Sequence, residues 1–279
     1  MSEHVRPRRR AHVSPVHALK DTAVIARRNL LRIVRMPQLL AFATVQPVMF
    51  LILFNYVFGG AVGRAVPAAA GGEYLNWLVP GVLLQMVAFG ALQTAMGLIE
   101  DLNNGVIDRF RSLPMARSAV LAGRTVADLV RNLFVLALVL ALGYVLGFRP
   151  QTSFVPLVGG VLVAMMFAFA LSWVMACIGL AVKNSEAAQP AAMIPTFPLV
   201  FASSIFVPTE TLPGWLRVFA DHQPVTRTAN AVRSLILGEG ALAPSQTIAG
   251  EVTAAVLWSL GILVLAAPLA VRLYRRAVS

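Results

Sequence analysis

Six stretches of this chain are apolar over the length that crosses a lipid bilayer, and packing in a soluble domain could not bury them all. They fall at residues 39–58, 75–98, 129–147, 154–182, 190–207 and 252–271. About 20 apolar residues span the ~30 Å hydrocarbon layer as a helix, and a helix satisfies its own backbone hydrogen bonds there. Charge usage agrees. Charged residues make up 13% of the 279, hydrophobic residues 58%, and the mean hydropathy is +0.76. A soluble domain carries about 25% charged residues. The expected fold class is an all-α integral membrane protein with six transmembrane helices over residues 39–271. The fifth stretch contains Pro190, Pro195 and Pro198. It is predicted to be a kinked helix whose freed carbonyls find partners on neighbours.

Six crossings put both termini on one side. That side then holds 18 of the 23 Lys and Arg and 7 of the 12 Asp and Glu; the other holds the remaining 5 and 5. The whole net charge of +11 therefore lies on the side of the termini. The positive-inside rule makes this the cytoplasmic side of a plasma (inner) membrane. Orientation accounts for the basicity, and no nucleic-acid partner is needed.

Residues 1–16 read as a basic cytoplasmic tail without the pattern of a secretory signal, and 272–279 as a second tail. In residues 17–36, Leu19, Ala23, Ala26, Leu30, Ile33 and Val34 share one helical face. Lys20, Arg28, Arg32 and Arg35 share the other, as in an amphipathic helix lying on the bilayer surface. Residues 208–250 carry two helix-start signals, at Pro213 and Pro224. Trp215, Leu216 and Phe219, then Val225, Val232, Leu235 and Ile236, recur at helical spacing. Two short interfacial or re-entrant helices are expected before the last span.

Little in the sequence points to chemistry by this chain alone. Cys177 is its one cysteine and sits in an apolar run, a packing position. His4, His12, His17 and His222 form no ligand pattern, and no phosphate-cradling glycine loop occurs. On the spans drawn above, Glu100, Asp128, Arg131, Glu251 and Arg272 fall at span ends. Proton- or sodium-coupled carriers normally bury such groups mid-membrane.

The exception is "IEDLNNGVIDRFRSLPMARSAVLAGR", residues 99–124. Glu100, Asp101 and Asp108 could hold Mg²⁺ in a membrane transferase. However, Arg109 and Arg111 follow at once, and no other loop on that side carries a second carboxylate cluster. No catalytic, cofactor or metal residue is assigned.

The segments "EDLNNGVIDRFRSLPMARSAVLAGR", "KNSEAAQ" at 183–189 and "PTETLPGWLRVFADHQPVTRTANAVRSLILG" at 208–238 carry a family likeness. In them the chain resembles the permease subunit of ABC-2 type transporters, particularly the daunorubicin/doxorubicin-type drug exporters. The resemblance covers most of the chain. It implies a permease that is not itself an enzyme, works as a dimer with a second permease copy, and uses a separate ATP-binding subunit. ATP and Mg would be bound by that subunit.

The resemblance also implies a coupling helix between the second and third spans, docked on the ATPase. It maps onto Glu100, Asp101, Asp108, Arg109, Phe110, Arg111 and Leu113. Phe110 and Leu113 would be the apolar anchors, and the charges would set register. A path between protomers along the second and fifth spans would be lined by Gln85, Gln93, Thr94, Ser203 and Ser204, with Met86, Met96 and Met193 as adaptable contacts. The implied cargo is an amphipathic or hydrophobic drug or lipid-like compound. A lipid-linked glycan is the alternative within the same machinery.

Overall fold

The computed structural model describes residues 22–27, 31, 37–62, 73–103, 117–182 and 184–277. Residues 22–27 are helical, and eight longer helices follow. They are α1 (Pro37–Val62), α2 (Tyr74–Asn103), α3 (Arg117–Leu146), α4 (Phe154–Val182), α5 (Ser185–Phe201), α6 (Gly214–His222), α7 (Pro224–Leu237) and α8 (Ile248–Ala277). Short 3₁₀ turns at Thr209–Thr211 and Glu239–Ala241 flank the α6–α7 hairpin. No strand occurs among the described residues.

Among the described residues, four helices are long and apolar enough to cross a membrane: Tyr74–Asp101, Ala122–Leu146, Phe154–Val182 and Ile248–Arg276. The fifth expected span falls short of that measure. In α1 the described apolar part is Val45–Gly60. Helix α5 has 17 residues, about 25 Å at 1.5 Å per residue.

The fifth element is also displaced from the expected 190–207. It begins earlier because Asn184 caps it, its side chain accepting from the Glu186 N–H at 2.9 Å. It ends at Phe201, and a run of turns with buried residues Ser203, Ser204, Ile205 and Phe206 follows.

The third span starts seven residues before the expected 129. Asp128 and Arg131 are therefore the seventh and tenth residues of the Ala122–Leu146 segment rather than end residues. The helix continues through them because α2 supplies partners for both charges.

Of the expected surface helix at 17–36, only 22–27 and 31 fall among the described residues. There Ile25 and Ala26 are buried while Ala23 and Arg27 are exposed. Ile25 packs at Gly123 of α3, where a β-carbon would strike it. Ile25 and Ala26 are thus the residues of this segment that pack on the chain itself.

Helix α2 is the core element. Of its spanning window 78% is buried, against 28% for α3 and 22% for α8. Leu78, Val79, Val82, Leu83, Leu84, Val87, Ala91 and Ala95 form its inner faces. Between helices in lipid, close packing replaces hydrophobic expulsion as the driving force, so small residues set the approach. Gly179 of α4 lies against the Ala95 backbone, and Gly81 of α2 against the Ile205 carbonyl. A side chain at either position would push backbones apart.

Helix α3 ends in a left-handed residue, Gly147 at φ 111°, with the Phe148 N–H donating to the Gly143 carbonyl at 2.8 Å. The turn brings Arg149 to the start of α2, where its N–H donates to Asn76 Oδ1 at 3.0 Å.

Candidate functional site

Two polar assemblies sit at opposite ends of α2, about 36 Å apart along 24 residues of helix. The first clasps α2 to α3. Arg124 Nη1 donates to Asp101 Oδ2 at 2.9 Å, and its Nη2 to the Gln93 carbonyl at 3.4 Å. One helical stage deeper, Arg131 Nη2 donates to the Gly90 carbonyl at 2.5 Å and lies 4.0 Å from Asp128. Thr94 Oγ1 donates to Asp128 Oδ2.

Two glycines make room for this clasp. A β-carbon at Gly97 would occupy the Arg124 guanidinium's position, and one at Gly90 would collide with Asn132 Oδ1. These ionised side chains are only 8–16% exposed. At that burial further hydrogen bonds must offset the lost hydration; the Gln93 and Gly90 carbonyls and Thr94 supply three, while Arg124 Nε has no partner among the described residues.

Helices α2 and α3 flank residues 104–116. Asp108, Arg109, Phe110, Arg111 and Leu113 therefore lie outside the described residues. Glu100 is exposed at the end of α2, whereas Asp101 is buried and engaged with Arg124. Asp101 thus ties the end of α2 to α3 within the chain.

The second assembly surrounds α7. Where α5 ends at Phe201, the carbonyls of its last turn and of the turns that follow lack helical N–H donors. The α6–α7 hairpin supplies partners. Gln223 Nε2 donates to the Leu199 and Ala202 carbonyls at 2.7 and 2.8 Å. Arg233 Nη2 donates to the Ser204 carbonyl at 2.7 Å and to Ile205 at 3.5 Å. Its Nε reaches the Trp77 carbonyl at 3.4 Å, and its Nη1 reaches Asn230 Oδ1 at 3.3 Å. The guanidinium carbon stands 3.6 Å from the Trp77 ring centroid.

Arg233 is fully buried. Thr226 Oγ1 accepts from the Ser204 N–H at 3.2 Å, Ser204 Oγ donates to Asn230 Oδ1 at 2.8 Å, and Tyr74 Oη donates to the Phe206 carbonyl at 2.9 Å. The irregular backbone after α5 is thereby satisfied by side chains, the condition for such backbone at membrane depth.

The hairpin is also tied to its other neighbours. Arg227 of α7 meets Glu251 of α8 at 2.6 Å, and the Gln151 N–H donates to the Ile236 carbonyl at 3.0 Å.

The five path-lining candidates differ in burial and in their hydrogen bonds within the chain. Gln93 is exposed; Thr94, Ser203 and Ser204 are buried and their hydroxyls donate to Asp128, Val200 and Asn230. Gln85 is fully buried, and neither polar atom of its side chain has a partner among the described residues. Met86 is buried, and Met96 and Met193 are half-buried.

Sequence reasoning missed Arg124, Asp128 and Arg131 as a unit, and Thr226, Asn230 and Arg233 as another. Each trio has spacing 4 then 3, or 4 then 3 again, which places it on one helical face and was the available signal.

Comparison with known proteins fits this architecture. Over 229 residues the chain is 37% identical to the daunorubicin resistance ABC transporter permease protein of Streptomyces coeruleorubidus, covering 82% of this chain and 77% of that one. It is 27% identical over 192 residues to a doxorubicin resistance ABC transporter permease protein of Mycobacterium tuberculosis, covering 68% of this chain and 66% of that one. A further relative is ABC transporter G family member 20 of Dictyostelium discoideum, 26% identical over 59% of this chain and 22% of that protein. The profile of the ABC-2 type transporter family matches residues 20–237, and the chain belongs to that family.

Proposed function

We propose that this chain is the transmembrane permease subunit of an ATP-driven exporter that moves an amphipathic or hydrophobic, drug-like compound out of the cell. The observation that carries the reading is the likeness to the daunorubicin resistance permease across four-fifths of the chain. Two permease copies and separate ATP-binding subunits form the transporter, and the partner binds ATP and Mg²⁺. The protein lies in the plasma membrane with both termini in the cytoplasm. Helix α1 makes the first crossing, and α5 with the buried stretch 202–208 makes the fifth. Helices α6 and α7 re-enter from the outer side.

Residues 100–117 dock on the ATPase. Phe110 and Leu113 insert as anchors, and Asp108, Arg109 and Arg111 fix the register. The α2–α3 clasp turns movement of that segment into movement of two spans together, a rigid-body mode of transmission.

The test is co-expression with the ATP-binding subunit, co-purification, and export from inverted vesicles. The paired substitution Arg109→Glu and Phe110→Ala is expected to abolish co-purification and export while leaving membrane insertion intact. ATPase association at the wild-type level would overturn the docking assignment.

A further inference from the structure

Helix α8 is the least buried of the four long apolar helices, with 22% of its window inside the fold. One half of it is a continuous exposed stripe. Leu257, Trp258, Leu260, Val264, Leu265 and Leu269 on that side are each more than 40% exposed. The same side continues into Arg272, Arg275 and Arg276, which are also exposed. Arg272 follows Leu265 by seven residues, two helical turns and about 10 Å along the axis. Apolar surface followed by cation on one face matches the profile of an anionic phospholipid, with acyl chains below and a charged phosphate at the end.

A second element closes this end of the bundle. Ile25 of the helical segment 22–27 is buried in one cluster with Ala266, Ala270 and Tyr274 of α8 and Leu98 of α2. Its neighbours Val24 and Arg27 are exposed. Arg27, Arg272 and Arg275 form no ion pair or hydrogen bond among the described residues. Asp101 and Asp128, two carboxylates near this end, are already held by Arg124, Arg131 and Thr94. Like charges gathered at one end repel, and a phosphate placed among them relieves the repulsion. The orientation rule explains why cations collect on this side. It does not explain why they extend an apolar stripe on one face of one helix.

We propose that an anionic phospholipid docks at the end of α8 beside residues 22–27. Arg272 and Arg275 hold its phosphate, Arg27 adds charge from the neighbouring segment, and an acyl chain lies along Leu265 and Leu269. Basic pockets between spanning helices bind acidic headgroups through this combination. The lipid is a bound partner and not cargo, so the site stands apart from the export reading.

The test is native mass spectrometry of the purified full chain in detergent. Equimolar palmitoyl-oleoyl phosphatidylglycerol and palmitoyl-oleoyl phosphatidylcholine are added, which share acyl chains and differ in net charge. The chain is expected to retain phosphatidylglycerol about 25-fold in preference, about fivefold from each of Arg272 and Arg275. Arg272→Gln and Arg275→Gln should each lower the preference about fivefold, and the double variant should abolish it. Arg272→Lys keeps the charge and should keep the preference. Arg217→Gln removes an exposed arginine from α6 and should change nothing. Size-exclusion profiles check that each variant is folded.

Equal retention of the two lipids by the wild type, or a preference unchanged in the double variant, would overturn the site. A preference lowered as much by Arg217→Gln as by Arg272→Gln would also overturn it, since overall charge would then be the cause. sn-Glycerol 3-phosphate in large excess should leave the bound lipid in place. Its displacement by that headgroup fragment would overturn a lipid as the occupant.

Discussion

Arg233 is the largest of the fully buried side chains, and no carboxylate bonds to it. Its charge is met by carbonyl dipoles, one amide oxygen and an aromatic face. Such an environment suits a guanidinium, which is planar, weakly hydrated and able to donate in several fixed directions at once. An ammonium is a compact point charge with three donors and stacks poorly. Arg233→Lys is therefore expected to destabilise the protein by about 2–3 kcal/mol, through a lost charged hydrogen bond and the lost contact with Trp77. A thermal shift followed by size-exclusion chromatography in detergent measures this. A stability within error of wild type would show that the Ser204 and Ile205 carbonyls have other partners. The conservative-looking change is the informative one, since Arg233→Met would remove a buried charge along with its bonds and mix two opposing effects.

At the scale of elements, the α2–α3 clasp depends on a notch as much as on its charges. Gly97 provides the space that the Arg124 guanidinium fills on its way to Asp101. Gly97→Ala should displace that guanidinium, and Arg124→Ala should delete it, so both remove the same interaction. Each alone is expected to cost about 1–3 kcal/mol. The double variant should cost no more than the larger single one, because residues that share an interaction do not contribute additively. Thermal unfolding of the four proteins closes the cycle; additive losses would mean that Gly97 and Arg124 act independently.

The same comparison shows what the sequence makes legible. The second, third, fourth and sixth stretches coincide with long apolar helices, and the α6–α7 hairpin follows from Pro213 and Pro224, because both signals are local. The span boundary at α3 was not legible, since Asp128 and Arg131 read as water-facing until α2 is known to supply Thr94 and the Gly90 carbonyl. The shortened α5 was hidden for the same reason. Its partners Gln223 and Arg233 lie 21 to 29 residues away from the carbonyls they satisfy, and no local pattern pairs them.

For the whole molecule, the proposed crossing of the bilayer by α5 sets the orientation of everything after it. Helix α5 alone reaches about 25 Å, short of the ~30 Å hydrocarbon layer. The buried stretch after it could supply the remainder, since Gln223, Thr226, Arg233 and Tyr74 satisfy its backbone. If α5 crosses, the ends of the segment between α4 and α8 lie on opposite sides. If it does not, they lie on the same side, and the charge asymmetry of the chain is diluted. Two exposed positions separate these arrangements: Glu186 in the first turn of α5 and Glu239 beyond α7. Cys177 is the one native cysteine, so Cys177→Ala gives a clean background. In intact cells a membrane-impermeant maleimide is expected to label Glu239→Cys and to reach Glu186→Cys only after permeabilisation. Labelling of both from outside would mean that α5 returns to its own side. In that case Arg217, Arg227 and Arg233 would join Lys183 on one face, and the balance of charge that orients the protein would have to be drawn again.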